Sequence, residues 1–227
     1  MNRNQLKYLA CAAMLADHIG WAFVPTASAT GQALHLFGRL TGPIMAFFLA
    51  EGYRHTRSLS RYGLRLGLFA LISWPAFSCF ETGRWFSGEF GVMYTLFLGL
   101  LAMALWDRAP VSAPVKGLGV AGLCLLSLPG DWPVFDVLWP LCLLILWDRP
   151  RARWAVFALI GAAAVAYTLP GHRPAWAGLF QLGILAAPPL LYFGYNGKPG
   201  SRHPFHKWFF YAFYRRTCWR WRGSGRL

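Results

Sequence analysis

Eight apolar runs, separated by proline, glycine and charge, leave this chain little freedom in what it folds into. They cover about residues 6–24, 33–51, 62–80, 90–106, 115–129, 134–147, 152–169 and 176–195. The breaks carry turn formers and charge, as at Asp107-Arg108-Ala109-Pro110, Pro129-Gly130-Asp131 and Asp148-Arg149-Pro150. A helix needs roughly 20 mostly apolar residues to cross a bilayer, so the fifth and sixth runs are short and their boundaries are the loosest. Backbone in lipid must satisfy its own hydrogen bonds, within helices or in a closed barrel. Period-two alternation is absent, so the expected fold is all-α: a polytopic transmembrane helical bundle of about eight spans. Residues 1–195 read as a single transmembrane domain. Residues 196–227 read as a basic, aromatic tail, cytoplasmic or lying flat on the inner leaflet.

Composition excludes a soluble domain. Hydrophobic residues make up 56% of the chain and charged residues 13%, against about a quarter charged in soluble domains. The net charge of +14 on a soluble protein would point to nucleic acid. Its distribution points instead to the lipid bilayer as partner. With a cytoplasmic N-terminus and alternating spans, 19 of the 22 Lys and Arg residues fall in inner loops and the tail. Arg84 and Arg173 lie outside, and Arg39 lies within the second span. Basic residues collect on the cytoplasmic side, so both termini are expected there and no nucleic-acid partner is. The five cysteines have no CxxC or metal-type spacing and read as packing residues. No metal is expected. Arg3, Lys7, an apolar stretch and Ala27-Ser28-Ala29 resemble a cleavable signal peptide, but Asp17-His18 in its apolar core opposes that reading.

Ionisable side chains inside a span are expensive, and each is a functional candidate. Asp17 and His18 sit in the first span, in its outer half by the charge-based orientation. Adjacent helical positions point about 100° apart, so the two are expected to reach different partners. The second span returns with His35 and Arg39 at i, i+4. Arg39 beside Asp17 would neutralise a buried charge and leave His18 to act as a base. A buried ion pair that only locks two helices, or a proton-shuttling histidine, are the competing readings. Gly38 and Gly42 have the small-xxx-small spacing that admits a close neighbour, and Pro43 is expected to loosen the helix. At the inner end, Glu51-Gly52-Tyr53-Arg54-His55-Thr56-Arg57 reads either as an anion site for a cytosolic nucleotide-like donor or as positive-inside charge against anionic lipid. Asp131, Asp136 and His172 are read as loop residues that could frame an acceptor site. Trp85, Trp132, Trp139 and Trp176 are read as interfacial anchors. The glycines of Gly117-Leu118-Gly119-Val120-Ala121-Gly122 open a span and read as packing residues, not a dinucleotide loop.

Several of these blocks carry a family resemblance. Met14-Leu15-Ala16-Asp17-His18-Ile19-Gly20, Gly38-Arg39-Leu40-Thr41-Gly42-Pro43-Ile44 and Glu51-Gly52-Tyr53-Arg54-His55-Thr56 resemble the TraX family in order. Tyr62, Arg65-Leu66, Phe69-Ala70-Leu71-Ile72-Ser73, Val92-Met93-Tyr94-Thr95-Leu96 and Tyr195-Asn196-Gly197-Lys198 continue the pattern across nearly the whole chain. The family takes its name from a conjugation protein that acetylates the N-terminus of F-type pilin, and is similar to multi-span acyltransferases that draw on cytosolic acyl-CoA. The resemblance therefore implies an inner-membrane acetyltransferase with acetyl-CoA as donor and a pilin or other envelope molecule as acceptor, through an amine or hydroxyl. It implies His18 as base, Asp17 and Arg39 as the residues that orient it or hold the site's charge, and Glu51, Arg54, His55, Arg57, Asn196 and Lys198 as the donor site. Two departures stand out. Phe213-Tyr214-Arg215-Arg216-Thr217 occupies the place of a Phe-Tyr-Pro-x-His pattern, and Pro133 follows Asp131-Trp132 where glycine is common. A small transporter or flippase, with Asp17, His18 and Arg39 lining its path, is the alternative from another class. A degenerate member acting as a non-catalytic envelope partner is the third.

Overall fold

The computed structural model describes residues 1–171 and 174–201, together with His203, Phe205, Phe209 and Phe213. Among the described residues the chain is helical throughout, with no strand beyond one isolated bridge between Phe90 and Gly130. The α-helices are α1 Arg3–Phe23, α2 Ala29–Gly38, α3 Thr41–His55, α4 Leu59–Thr82, α5 Val92–Arg108, α6 Ala113–Leu126, α7 Phe135–Ile145, α8 Pro150–Thr168 and α9 Ala187–Gly194. Two 3-10 segments, Leu169–Gly171 and Ala175–Ala186, stand between α8 and α9. Among the described residues, four segments are long and apolar enough to cross a membrane: Ala29–His55, Leu59–Thr82, Pro150–Gly171 and Trp176–Gly194. At 1.5 Å per residue, α6 spans about 21 Å and α7 about 16 Å, short of the roughly 30 Å hydrocarbon core.

Local sequence explains where several helices begin and break. Asn2 and Gln5 form a reciprocal capping box at the start of α1, with Gln5 N donating to Asn2 Oδ1 at 3.0 Å and Asn2 N to Gln5 Oε1 at 2.8 Å. Ser28 caps α2 through Gly31 N at 3.0 Å. The second apolar run is not one helix. It divides at Arg39-Leu40 into α2 and α3, because Pro43 has no N–H to donate to the Arg39 carbonyl one turn back. Proline fits the opening turn of α3, where that donor is not required.

The chain divides into two compact units, one made of Met1–Met45 with the chain from Trp154 on, the other of Ala46–Arg153. In the first, α1 and α2 run antiparallel. Gly20 faces His35 and Gly38 faces Asp17, each so closely that a Cβ would stand 2.8 and 2.4 Å from the facing side chain. The 3-10 segment Ala175–Ala186 lies on α2, where a Cβ on Gly183 would stand 2.1 Å from the Leu36 carbonyl oxygen. Gln32 ties the two together. Its Nε2 donates to the Thr26 and Ala177 carbonyls at 2.7 and 2.8 Å, and its Oε1 accepts from Phe180 N at 3.0 Å. The chain leaving α9 returns to the N-terminus: Asn196 N donates to Met1 O at 3.0 Å and Arg3 N to Lys198 O at 2.9 Å. The two ends of this unit's helical path therefore lie side by side.

In the second unit α5 is central and packs against α4, α6 and α7. Gly99 lets α5 and α7 meet, since a Cβ there would stand 2.4 Å from the Asp136 carbonyl. Trp139, expected as an interfacial anchor, is instead fully buried, and Trp132 is nearly so. The Trp139 ring packs against Trp132 and Phe135 at 5.8 and 6.0 Å. Trp176 is half exposed.

Candidate functional site

Asp17 of α1 meets His35 and Arg39 of α2 in one cluster. Asp17 uses both carboxylate oxygens. His35 Nδ1 lies 2.8 Å from Oδ1, and Arg39 Nη2 lies 2.5 Å from Oδ2. A carboxylate can only accept, so the His35 proton faces Asp17 on Nδ1. The antiparallel pairing of α1 and α2 makes this possible, and glycine at position 38 leaves room for the Asp17 side chain. Arg39 is the C-cap of α2, where a cation is favoured by the partial negative charge of the last carbonyls. The break that Pro43 imposes is what puts it at a helix end.

Aromatic rings enclose the cluster. The His35 side chain is fully buried, with Trp21 and Phe180 at centroid distances of 4.3 and 5.1 Å. The Arg39 guanidinium lies 5.5 Å from the Phe180 centroid, within cation–π range. His35 Nε2 is buried and has no hydrogen-bond partner among the described residues.

His18 takes another direction, as the 100° step predicts. Its Nδ1 lies 2.6 Å from the Met14 carbonyl oxygen one turn back. That oxygen accepts only, so Nδ1 carries the hydrogen and Nε2 is the basic nitrogen of the neutral ring. Asp17 is committed to His35 and Arg39, and the backbone sets the tautomer of His18.

The residues expected to meet a donor come from two segments of the chain. Glu51 is buried on α3, Arg54 and His55 are exposed in its last turn, and Arg57 is exposed in the connection to α4. Arg54 rests over Trp147, 4.5 Å from the ring centroid. Asn196 and Lys198 are exposed after α9, where Asn196 Oδ1 accepts from Lys198 N at 3.0 Å and the Lys198 carbonyl receives Arg3 N. Asp136 is not a loop residue: it sits in the first turn of α7, fully buried, with Oδ2 2.7 Å from Thr95 Oγ1. Asp131 is exposed. His172, the stretch Tyr214-Arg215-Arg216-Thr217 and most of the basic tail lie outside the described residues.

His35 joins the cluster although sequence reasoning does not place it in the catalytic set. Its i, i+4 relation to Arg39 is the signal that points to it. Trp21 and Phe180 give none, since both read as ordinary apolar positions.

The profile of the family described as TraX protein matches residues 2–216. A curated relative, "Probable fimbrial assembly protein FimC, serogroup H1" of Dichelobacter nodosus, is 33% identical over 235 residues, covering 94% of this chain and 94% of that protein. No solved structure matches. With a match of this extent over the blocks that build the Asp17 cluster, the chain belongs to the TraX family of membrane proteins.

Proposed function

We propose that this chain is a bacterial inner-membrane acetyltransferase that moves an acetyl group from acetyl-CoA to an acceptor amine or hydroxyl. The observation that carries the reading is the Asp17–His35–Arg39 cluster with His18 beside it, its tautomer set by Met14. Charges in an apolar helix are costly, and a neutral imidazole with a basic Nε2 is suited to general-base chemistry. In the proposed step His18 Nε2 removes a proton from the acceptor as its nitrogen or oxygen attacks the thioester carbonyl. The new acyl bond forms, the carbon–sulfur bond breaks, and the coenzyme A thiolate leaves and takes up the proton held by His18. Asp17 and His35 fix Arg39, whose positive charge compensates the anionic character of the tetrahedral intermediate.

The relative's name supports an acceptor among fimbrial or pilus components, and we take the amino terminus of a pilin subunit as the first to test. The charge distribution supports cytoplasmic termini. The return of the chain after α9 to the N-terminus supports an even number of crossings, and eight crossings accommodate the helices seen.

Purified protein in detergent or nanodiscs, supplied with acetyl-CoA and a pilin-derived peptide, tests this. Release of free coenzyme A is expected from wild type and is expected to vanish in His18→Ala with insertion intact. An unchanged rate in that variant sinks the catalytic assignment. Absence of any acetyl-CoA consumption across amine and hydroxyl acceptors sinks the reaction.

A further inference from the structure

The junction of α7 and α8 holds two arginines in an arrangement that the charge distribution of a membrane protein does not by itself explain. The turn after α7 leads directly into α8, with Arg149 N donating to Leu146 O at 3.0 Å. α8 opens Pro150-Arg151-Ala152-Arg153 with no acid in its first turn. A helix N-terminus carries partial positive charge, so arginine there is opposed by the backbone. Arg153 is nevertheless folded back, with Nη1 donating to the Trp147 carbonyl at 3.3 Å and its guanidinium 4.8 Å from the Trp147 ring centroid. Arg54, from the last turn of α3, brings a second guanidinium to 4.5 Å from the same centroid.

One indole thus gathers two cations from distant parts of the sequence. The ring attracts each of them but does not cancel their mutual repulsion. Arg54 and Arg153 act on each other with like charge, and Asp148 offsets part of the excess on Arg153. Positive-inside sorting requires only that arginines lie in the inner loops. It does not require two to converge on one side chain. An anion within reach of both would add two attractions that offset this repulsion.

We propose that Arg54, Trp147 and Arg153 form a binding site for a phosphate group. The planar donor forks of two guanidiniums match phosphate oxygens, and the partial positive charge of the α8 N-terminus favours the same sign of ligand. Trp147 holds both forks in place, so little side-chain freedom is lost on binding. Two sources offer this chemistry: the phosphates of a nucleotide-like acyl donor and the headgroup of an anionic lipid. Assignment to the donor rests on the acetyl-transfer reading above. The phosphate chemistry does not.

The test uses the full chain in nanodiscs of zwitterionic phosphatidylcholine, titrated calorimetrically with free coenzyme A, which has the phosphates but no acetyl group. Saturable binding is expected, weakened about tenfold or more by Arg54→Gln and by Arg153→Gln. In a second arm, native mass spectrometry counts the phosphatidylglycerol retained by wild type and by the double variant. Loss of coenzyme A binding in the variants assigns the site to the soluble donor. Loss of retained lipid, with no coenzyme A bound by wild type, assigns it to a headgroup. Nucleotide and lipid binding both unchanged in the variants overturns the site. Should Arg153→Gln fail to insert, Arg54→Gln reads out the same outcomes from an exposed side chain. Acetyl-CoA turnover with an unaltered KM in both variants, together with unchanged lipid retention, removes this site and leaves acetyl transfer standing. Arginine-dependent coenzyme A binding by a chain that transfers no acetyl group does the reverse.

Discussion

Arg39 Nη2 stands 2.5 Å from Asp17 Oδ2, and the other oxygen of the same carboxylate is taken by His35. One acid on α1 thereby holds the C-terminal end of α2. Both side chains of the ion pair are largely buried. Breaking a buried pair by deleting one partner costs about 3–5 kcal/mol, whereas deleting both costs less. Asp17→Ala and Arg39→Ala should each lower stability strongly, and the double variant should be more stable than the sum of the two losses. Unfolding of the four proteins in detergent, arranged as a double-mutant cycle, measures this. Additive losses would mean that the two residues do not act as a pair.

The approach of α1 and α2 depends on glycine. A Cβ on Gly38 would lie 2.4 Å from the Asp17 Cβ, a carbon fixed to the backbone rather than a movable tip. Gly38→Ala should therefore destabilise by about 1–3 kcal/mol, as overpacking does, and should displace Asp17 from Arg39. Gly117→Ala is the control, because a Cβ there meets nothing within 4 Å. In helix α6 it should be neutral or gain about 0.5–1 kcal/mol. Thermal shift in detergent separates the two, and equal effects would rule out the close contact as the cause.

The tautomer of His18 makes its own prediction. Asparagine places an amide N–H near the position of Nδ1 and can donate to the Met14 carbonyl, but it supplies no base. Under the proposed mechanism His18→Asn keeps the fold and loses about 100-fold or more in acetyl transfer, the range of general-base contributions. His18→Gln should lose as much. Retention of activity in His18→Asn would show that the backbone-bound nitrogen, not the base, is what this position supplies.

Val134 has φ 66° and ψ −47°, the strained centre of a γ-turn with positive φ, which a β-branched residue rarely adopts. Phe135 N donates to the Pro133 carbonyl at 2.7 Å, and Val134 N donates to Ser127 Oγ at 2.7 Å, so neighbours hold the strained turn that starts α7. Strain of this kind costs on the order of 1–3 kcal/mol. Val134→Gly should raise the melting temperature, since glycine reaches this region freely. A lower melting temperature would mean that the valine side chain contributes more by packing than its backbone loses in strain.

Thr95 bonds the fully buried Asp136 through Oδ2, while Oδ1 has no partner among the described residues. Thr95→Val preserves shape and removes the hydroxyl. It should destabilise by about 1–3 kcal/mol, the cost of leaving a buried polar group unsatisfied. Asp136→Asn in the same background should recover part of that loss, because an amide is less costly to bury than a carboxylate. Chemical unfolding of the single and double variants reads both effects.

The sequence alone determined that the chain is helical and membrane-bound, because apolar runs of near-bilayer length leave the backbone few ways to satisfy itself. It also singled out Asp17, His18 and Arg39, because charge in an apolar run is conspicuous without coordinates. Opposite charge and helical spacing were enough to anticipate that Asp17 and Arg39 meet and that His18 looks elsewhere. The tertiary structure decided what spacing does not encode. That His35 rather than His18 holds the second oxygen of Asp17 follows from the antiparallel register of α1 on α2, which two glycines set. That Asp136 is buried follows from the close contact of α5 with α7 at Gly99. That Trp139 fills a core and Arg54 shares an indole with Arg153 depends on contacts between segments far apart in the chain. A periodicity read along one helix records which face is apolar. Which neighbour covers that face is settled only when the helices pack.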